Sequence, residues 1–321
     1  MFDTIVSILV AVAGVTAIVW GAEAFAENLA RAAAGLGVST FALAILLAGA
    51  EPEELATAVA ATVRDSPAIA FGDVVGANVT MCLIALGLGA VIASLPFGKR
   101  VLRYGFLALP LGAISVAFAW DGRVGRVEGG LLIVGYVAYV ATIWTVERRP
   151  PVLGETAEID EALEAAAGQR PGRGVGRELL VVFAGLGAMV IGATLLVDGV
   201  RNLVDAEANQ ARVSLTVVGF ATGFELVVLA WSSARRGISE AVVAGVVGSF
   251  AYNATMTLGA AAVVKPLRVS DAPLLHPSMI AMVGALAIVL LRALPHRQLR
   301  RRDGWLLLAL YPAFVAVALM S

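Results

Sequence analysis

Between Leu46 and Gly76 the chain sets three carboxylates around a proline inside a stretch otherwise apolar enough to cross a bilayer. The run is Ala48-Gly49-Ala50-Glu51-Pro52-Glu53-Glu54-Leu55, followed by Gly72-Asp73-Val74-Val75-Gly76-Ala77-Asn78. On insertion scales each acid near the centre of a membrane helix costs about 2.5–3.5 kcal/mol. Three of them must therefore face protein, water or a cation rather than lipid. The rest of the chain supplies the membrane context: 60% of its 321 residues are hydrophobic and 15% charged, with a mean hydropathy of +0.89. A soluble protein is about half apolar and a quarter charged. The composition thus reads as a polytopic, all-α membrane protein with the bilayer as its surroundings. No basic cluster offers a nucleic-acid surface. Cys82 is the one cysteine, so neither a disulfide framework nor a thiolate metal site is available.

Spanning a hydrocarbon core takes about 20 residues. Ten segments qualify: 5–33, 39–63, 68–95, 102–119, 128–146, 178–203, 212–234, 239–263, 275–293 and 304–320. Met1-Phe2-Asp3-Thr4 lacks the basic start of a cleaved signal, so the first segment is expected to stay. A polar stretch bounded by Glu147-Arg148-Arg149-Pro150-Pro151 and Arg170-Pro171-Gly172-Arg173-Gly174 separates the fifth and sixth segments. Proline and glycine make it a linker. The expected organisation is a first five-helix half over 1–146, a linker over 147–177 and a second half over 178–321. With the N-terminus outside, fifteen Lys and Arg fall in inside loops and seven in outside loops. The positive-inside rule then puts both termini outside and the linker in the cytoplasm, with the cell membrane as the expected location.

The two halves repeat. Gly21-Ala22 with Glu27 recurs as Gly192-Ala193 with Asp198, an offset of 171. Val74-Val75-Gly76 recurs as Val246-Val247-Gly248 and Leu86-Gly87 as Leu258-Gly259, an offset of 172. At that offset Glu53 falls on Glu225, within Gly219-Phe220-Ala221-Thr222-Gly223-Phe224-Glu225-Leu226. Two similar halves with five spans each must lie in opposite orientations, the arrangement of secondary transporters whose site sits near the midplane. The second and seventh helices are expected to be broken there, by Pro52 in one half and by Gly219 with Gly223 in the other.

Carboxylates inside a membrane point to function by default. Here each half has one or more on its second span, followed on the next span by amide and hydroxyl groups: Asn78 and Thr80, then Ser249 and Asn253. Such oxygens suit hard cations such as Ca²⁺ and Na⁺. Facing carboxylates can balance one Ca²⁺, or several Na⁺ or H⁺ in its place, which is the competition an antiporter needs. His276 and His296 lie near span ends, so a soft transition-metal site is not expected. Asn78, Thr80 and Thr255 also suit interhelical packing. Glu23, Glu27 and Asp198 suit structural roles near membrane surfaces as well as roles in a pathway.

With these motifs the chain resembles the sodium/calcium exchanger family of the calcium/cation antiporter superfamily. That family has ten spans in two inverted halves, each with an alpha-repeat built around Gly-Thr-Ser-x-Pro-Glu and then Gly-Ser-Asn. Gly72-Asp73-Val74-Val75-Gly76-Ala77-Asn78 resembles the second part, and Gly248-Ser249 matches it partly. The resemblance implies cation binding by Glu51, Glu53, Glu54, Asn78, Thr222, Glu225, Ser249 and Asn253. Glu53, Glu54, Glu225 and Asn253 would be the central metal ligands. It also implies Ca²⁺ exchanged for Na⁺ or H⁺ by sliding of the first and sixth spans. No cofactor is expected, because these cations are cargo. The expected partners are inorganic cations and the bilayer, with no nucleic acid and the oligomeric state left open. The chain also departs from the family. Gly49-Ala50 replaces hydroxyl residues, Phe224 replaces a proline, Ala77 replaces a serine, and Met81 stands where an amide or carboxylate ligand would lie. The internal repeat favours Glu53 as the ligand, whereas the spacing to Gly76 favours Glu54. An intramembrane carboxylate enzyme and a binding protein without transport remain the readings from other functional classes.

Overall fold

The structure, a computed structural model, describes residues 2–35, 51–147, 175–204, 206–236 and 239–321. Helices α1 (Phe2–Gly35), α2 (Pro52–Val63), α3 (Pro67–Ile92), α4 (Lys99–Ala119) and α5 (Arg126–Glu147) form the first half. The second half comprises α6 (Val175–Leu203), α7 (207–236), α8 (239–264), α9 (Ala272–Ala293) and α10 (Arg301–Met320). Among the described residues nine helices are long and apolar enough to cross a membrane. The expected second span, 39–63, is described only from Glu51. The linker expected over 147–177 is described only at Glu147 and from Val175, so most of it lies outside the described residues.

Helix ends follow local chemistry. Pro52 and Pro67 occupy first-turn positions of α2 and α3, where a missing N–H costs nothing. The α10 N-terminus is closed by a reciprocal cap, with the Asp303 carboxylate accepting from the Arg300 N–H at 2.9 Å. The same carboxylate accepts from Arg292 Nε of α9 at 2.8 Å, which ties the last two helices together.

Burial separates central helices from peripheral ones. The most apolar windows of α3 and α8 are 78% and 83% buried, against 28% for those of α1 and α10. The two buried helices carry the amide and hydroxyl groups, which lipid would not tolerate. They also share an irregularity: each contains a π-helical segment, Met81–Ala85 in α3 and Tyr252–Thr257 in α8.

The inverted repeat is visible as exchanged contacts. A Cβ placed on Gly14 would lie 2.6 Å from Gly192 O, and one on Gly21 would lie 2.7 Å from Gly185 O. The 171-residue offset carries Gly14 onto Gly185 and Gly21 onto Gly192, so the two crossings of α1 and α6 are one contact made twice. Two short ribbons repeat the theme. Strand β1 (Leu95–Pro96) pairs with β4 (Gln298–Leu299), and β2 (Arg123–Val124) pairs with β3 (Leu267–Arg268), both antiparallel. Each ribbon takes one strand from each half. Among the described residues the fold is therefore all-α, with ten helices in two inverted five-helix halves.

Helix α7 is broken, but at one glycine rather than two. Its first part comprises Glu207–Val213, a π-helical segment Ser214–Val218 and Gly219–Thr222. The second part, Phe224–Arg236, starts after a turn at Gly223. Gly219 stays helical. Its role is close approach, because a Cβ there would lie 2.5 Å from Ala77 N on α3.

Candidate cation site

The start of α2 and the break in α7 both deliver carboxylates to the interior. Glu51 precedes the first turn of α2, Glu53 and Glu54 lie within it, and Glu225 lies in the first turn after Gly223. A helix N-terminus carries unsatisfied N–H groups and a partial positive charge, which favours acids at that position. Glu51, Glu53 and Glu54 are buried, with relative exposures of 1%, 2% and 0%. Glu225 is half-buried, although its Oε2 is enclosed and has no hydrogen-bond partner.

The structure brings most of the expected residues together. The carboxyls of Glu51 and Glu53 lie within hydrogen-bonding reach of each other. Glu225, from the other half of the molecule, is close enough to act electrostatically on Glu51, Glu53 and Glu54. Ser249 donates its hydroxyl proton to Glu51 Oε1, a contact between α8 and the start of α2. None of the ion pairs formed by the described residues involves these acids. Buried charge without a counter-charge is expensive unless hydrogen bonds or a cation compensate it.

Glu53 and Glu54, which the sequence left as alternatives, are both interior but differ in company. Glu53 has Glu51 beside it, and its backbone carbonyl accepts from Thr57 Oγ1 at 2.8 Å. Both carboxylate oxygens of Glu54 are buried with no partner. Asn78 donates from Nδ2 to Met282 Sδ at 3.4 Å, which leaves its buried Oδ1 free. Asn253 accepts from Thr257 Oγ1 at 3.2 Å and holds a free, buried Nδ2. A half-turn of that amide, which leaves its shape unchanged, would present the oxygen instead. Thr222 donates to Asp73 Oδ1 at 2.9 Å.

Two features escaped the sequence. The first is Asp73 as a member of the cluster. It is fully buried on α3, and its Oδ2 is without a partner. Its signal was in plain view, an acid in an apolar span. The second is a wall of tyrosines, Tyr136 from α5 and Tyr252 from α8, with ring centroids 5.3 Å apart edge to face and both within electrostatic range of Glu51. Nothing in the spacing of two tyrosines 116 residues apart announces that contact.

Among the described residues no three His, Cys, Asp or Glu side chains converge as a ready-made metal site. The acids instead lie spread through the interior, with hydroxyl neighbours in Ser249 for Glu51 and Thr222 for Asp73. That mixture suits a hard ion held by few carboxylates and several neutral oxygens. Ala77 and Met81 are fully buried, and neither side chain carries an oxygen. Two of the three acids named near the surfaces make ordinary ion pairs: Asp198 with Arg64 at 3.1 Å and Glu27 with Arg31 at 3.2 Å. A polar cavity of about 650 Å³ opens where the ends of α2, α7 and α8 meet, lined in part by Thr62, Ser66, Glu207 and the Asp65–Lys265 ion pair. Thr62 lies nine residues beyond Glu53 on α2, roughly 14 Å along the helix.

The chain is 23% identical to the sodium/calcium exchanger MaX1 of Methanosarcina acetivorans, with 97% of this chain and 98% of that protein covered. It is 22% identical to the putative antiporter CaxA of Alkalimonas amylolytica, covering 95% and 96%. Its fold is similar to that of the sodium-calcium exchanger NCX_Mj soaked with 100 mM Na⁺ and 10 mM Sr²⁺, with a TM-score of 0.60 at 20% identity over 98% of each chain. The profile of the sodium/calcium exchanger protein family matches residues 6–145 and 178–320, one block in each half. The chain therefore belongs to the sodium/calcium exchanger family.

Proposed function

We propose that this protein is a secondary cation antiporter that moves Ca²⁺ in exchange for Na⁺ or H⁺, by alternating access to the carboxylates gathered between α2, α3, α7 and α8. The observation that carries the reading is Glu54: a fully buried carboxylate with neither oxygen satisfied, in electrostatic contact with acids from both halves of an inverted repeat. An interior arranged in this way is waiting for positive charge. Family membership and the names of the relatives support antiport over catalysis. So does the symmetry, because two matched inverted halves serve alternating access and bring nothing to a hydrolase. The ligands of the moving ion would be drawn from Glu51, Glu53, Glu54 and Glu225, with Ser249, Asn253, Asn78 and Thr222 as the candidate neutral oxygens. Motion would come from α1 and α6, which pack on each other through glycines and line the periphery. Both termini would lie outside and the 147–177 linker in the cytoplasm.

The test is ⁴⁵Ca²⁺ uptake into proteoliposomes under an outward Na⁺ gradient, repeated with a H⁺ gradient and with Glu225→Gln. Gradient-driven uptake that the substitution abolishes supports the reading. Uptake retained by folded Glu225→Gln, or absent from the wild type under both gradients, rejects it. One observation favours H⁺ as the counter-ion: α3 offers the side chains of Ala77 and Met81 where neutral oxygens would help to hold Na⁺. Uptake driven by the H⁺ gradient alone would establish that version.

A further inference from the structure

Asp73 lies on α3 one turn before Ala77, so the two residues share a helix face about 6 Å apart along the axis. The close approach of α7 to α3 at Gly219 brings Thr222 onto that face. Its hydroxyl holds Asp73 Oδ1 at 2.9 Å. The other oxygen, Oδ2, is buried and free. Glu54 of α2 is also fully buried with both oxygens free, and it lies within electrostatic range of Asp73. Two interior carboxylates within electrostatic range of each other, with three free oxygens and no basic partner among the described ion pairs, are stable together only when something positive is shared between them.

We propose that Asp73 is a cation ligand of this protein, forming with Glu54 and the Thr222 hydroxyl a subsite for a hard divalent cation one turn along α3 from Ala77. The set contains only oxygen and carries two negative charges, matching one Ca²⁺. Among the described residues no third acid, histidine or cysteine converges with the pair, so the remaining ligands would be neutral oxygens. The subsite moves the α3 contribution from Ala77 and Met81, which lack oxygen, to a residue that has two. The proposal rests on the antiporter reading above. The simpler alternative is that Asp73 serves only to accept the Thr222 hydrogen bond and hold α7 against α3.

Asparagine separates the two, because its Oδ1 still accepts that hydrogen bond while the charge is gone. Ca²⁺ affinity is measured by ⁴⁵Ca²⁺ binding to the purified full-length chain in detergent, together with the melting temperature in the absence of Ca²⁺. Asp73→Asn is expected to weaken binding about tenfold or more, in line with the dependence of Ca²⁺ affinity on ligand charge, with the cation-free melting temperature kept. Binding changed less than about threefold overturns the Asp73 assignment and leaves the antiporter reading standing. A wild type that binds no Ca²⁺ overturns both. If Asp73→Asn does not fold, Asp73→Glu decides. A longer carboxylate that ligates the ion changes the ratio of Ca²⁺ to Ba²⁺ affinity by about threefold or more, and an unchanged ratio overturns the assignment.

Discussion

Glu54 and Glu53 are adjacent in sequence, equally buried and chemically identical, yet the structure gives them different work. Glu53 leans on Glu51, whereas Glu54 has no hydrogen-bond partner for either oxygen. An orphaned buried carboxylate destabilises the ion-free protein, so Glu54→Gln is expected to raise the melting temperature without Ca²⁺. The same substitution is expected to remove the further stabilisation that added Ca²⁺ produces, and differential scanning fluorimetry with and without Ca²⁺ reads both effects. A Glu54→Gln protein still stabilised by Ca²⁺ as the wild type is would assign the ion to Glu53 and Glu51. The presence of several acids in one span was plain from the chain. Which of them is free was not, because that depends on Ser249, Thr222 and Asp73, drawn from three other helices.

At the scale of helices, irregularity concentrates where the carboxylates gather. Helices α3, α7 and α8 each carry a π-helical segment, a feature often found at functional sites because it redirects side chains and frees backbone groups. No local pattern in Met81–Ala85 or Tyr252–Thr257 signals it. Pro52 and Gly223 were legible as helix boundaries, whereas Gly219 looked like a second breaker and is a packing residue instead. The α1–α6 crossing makes a similar demand: Gly192→Val would drive a side chain into Gly14 O and Ile18. If these helices move as the antiport reading requires, this substitution should slow ⁴⁵Ca²⁺ uptake at least tenfold, about 1.4 kcal/mol on the barrier, while Ca²⁺ binding in detergent stays near that of the wild type. Equal losses of binding and uptake would instead mark the crossing as purely structural. Asp303 is a control of another kind, remote from the acids. Asp303→Ala removes both the α10 cap and the partner of a half-exposed Arg292. It is expected to cost about 1–2 kcal/mol of stability, seen as a lower melting temperature, with Ca²⁺ affinity unchanged.

Over the whole molecule, each half completes the other: each two-stranded ribbon takes one strand from each half, and Glu225 of α7 lies within electrostatic range of the acids of α2. Orientation in the membrane can be checked directly. Cys82 is buried, so the wild type is expected to stay unlabelled by a membrane-impermeant maleimide. Arg268→Cys should react in intact cells, and Arg302→Cys only after permeabilisation; the reverse pattern would invert the proposed topology. From the sequence alone came the membrane class, the ten segments, their division into inverted halves and the short list of acids. All of these depend on hydropathy, periodicity and internal likeness, which are properties of the chain read in order. The pairing of Glu51 with Ser249, the turn of Asp73 toward Thr222, the tyrosine wall and the solitude of Glu54 were decided only by the tertiary structure. Each is a contact between helices, set by the angle and depth at which packed surfaces meet, and no one segment carries that information.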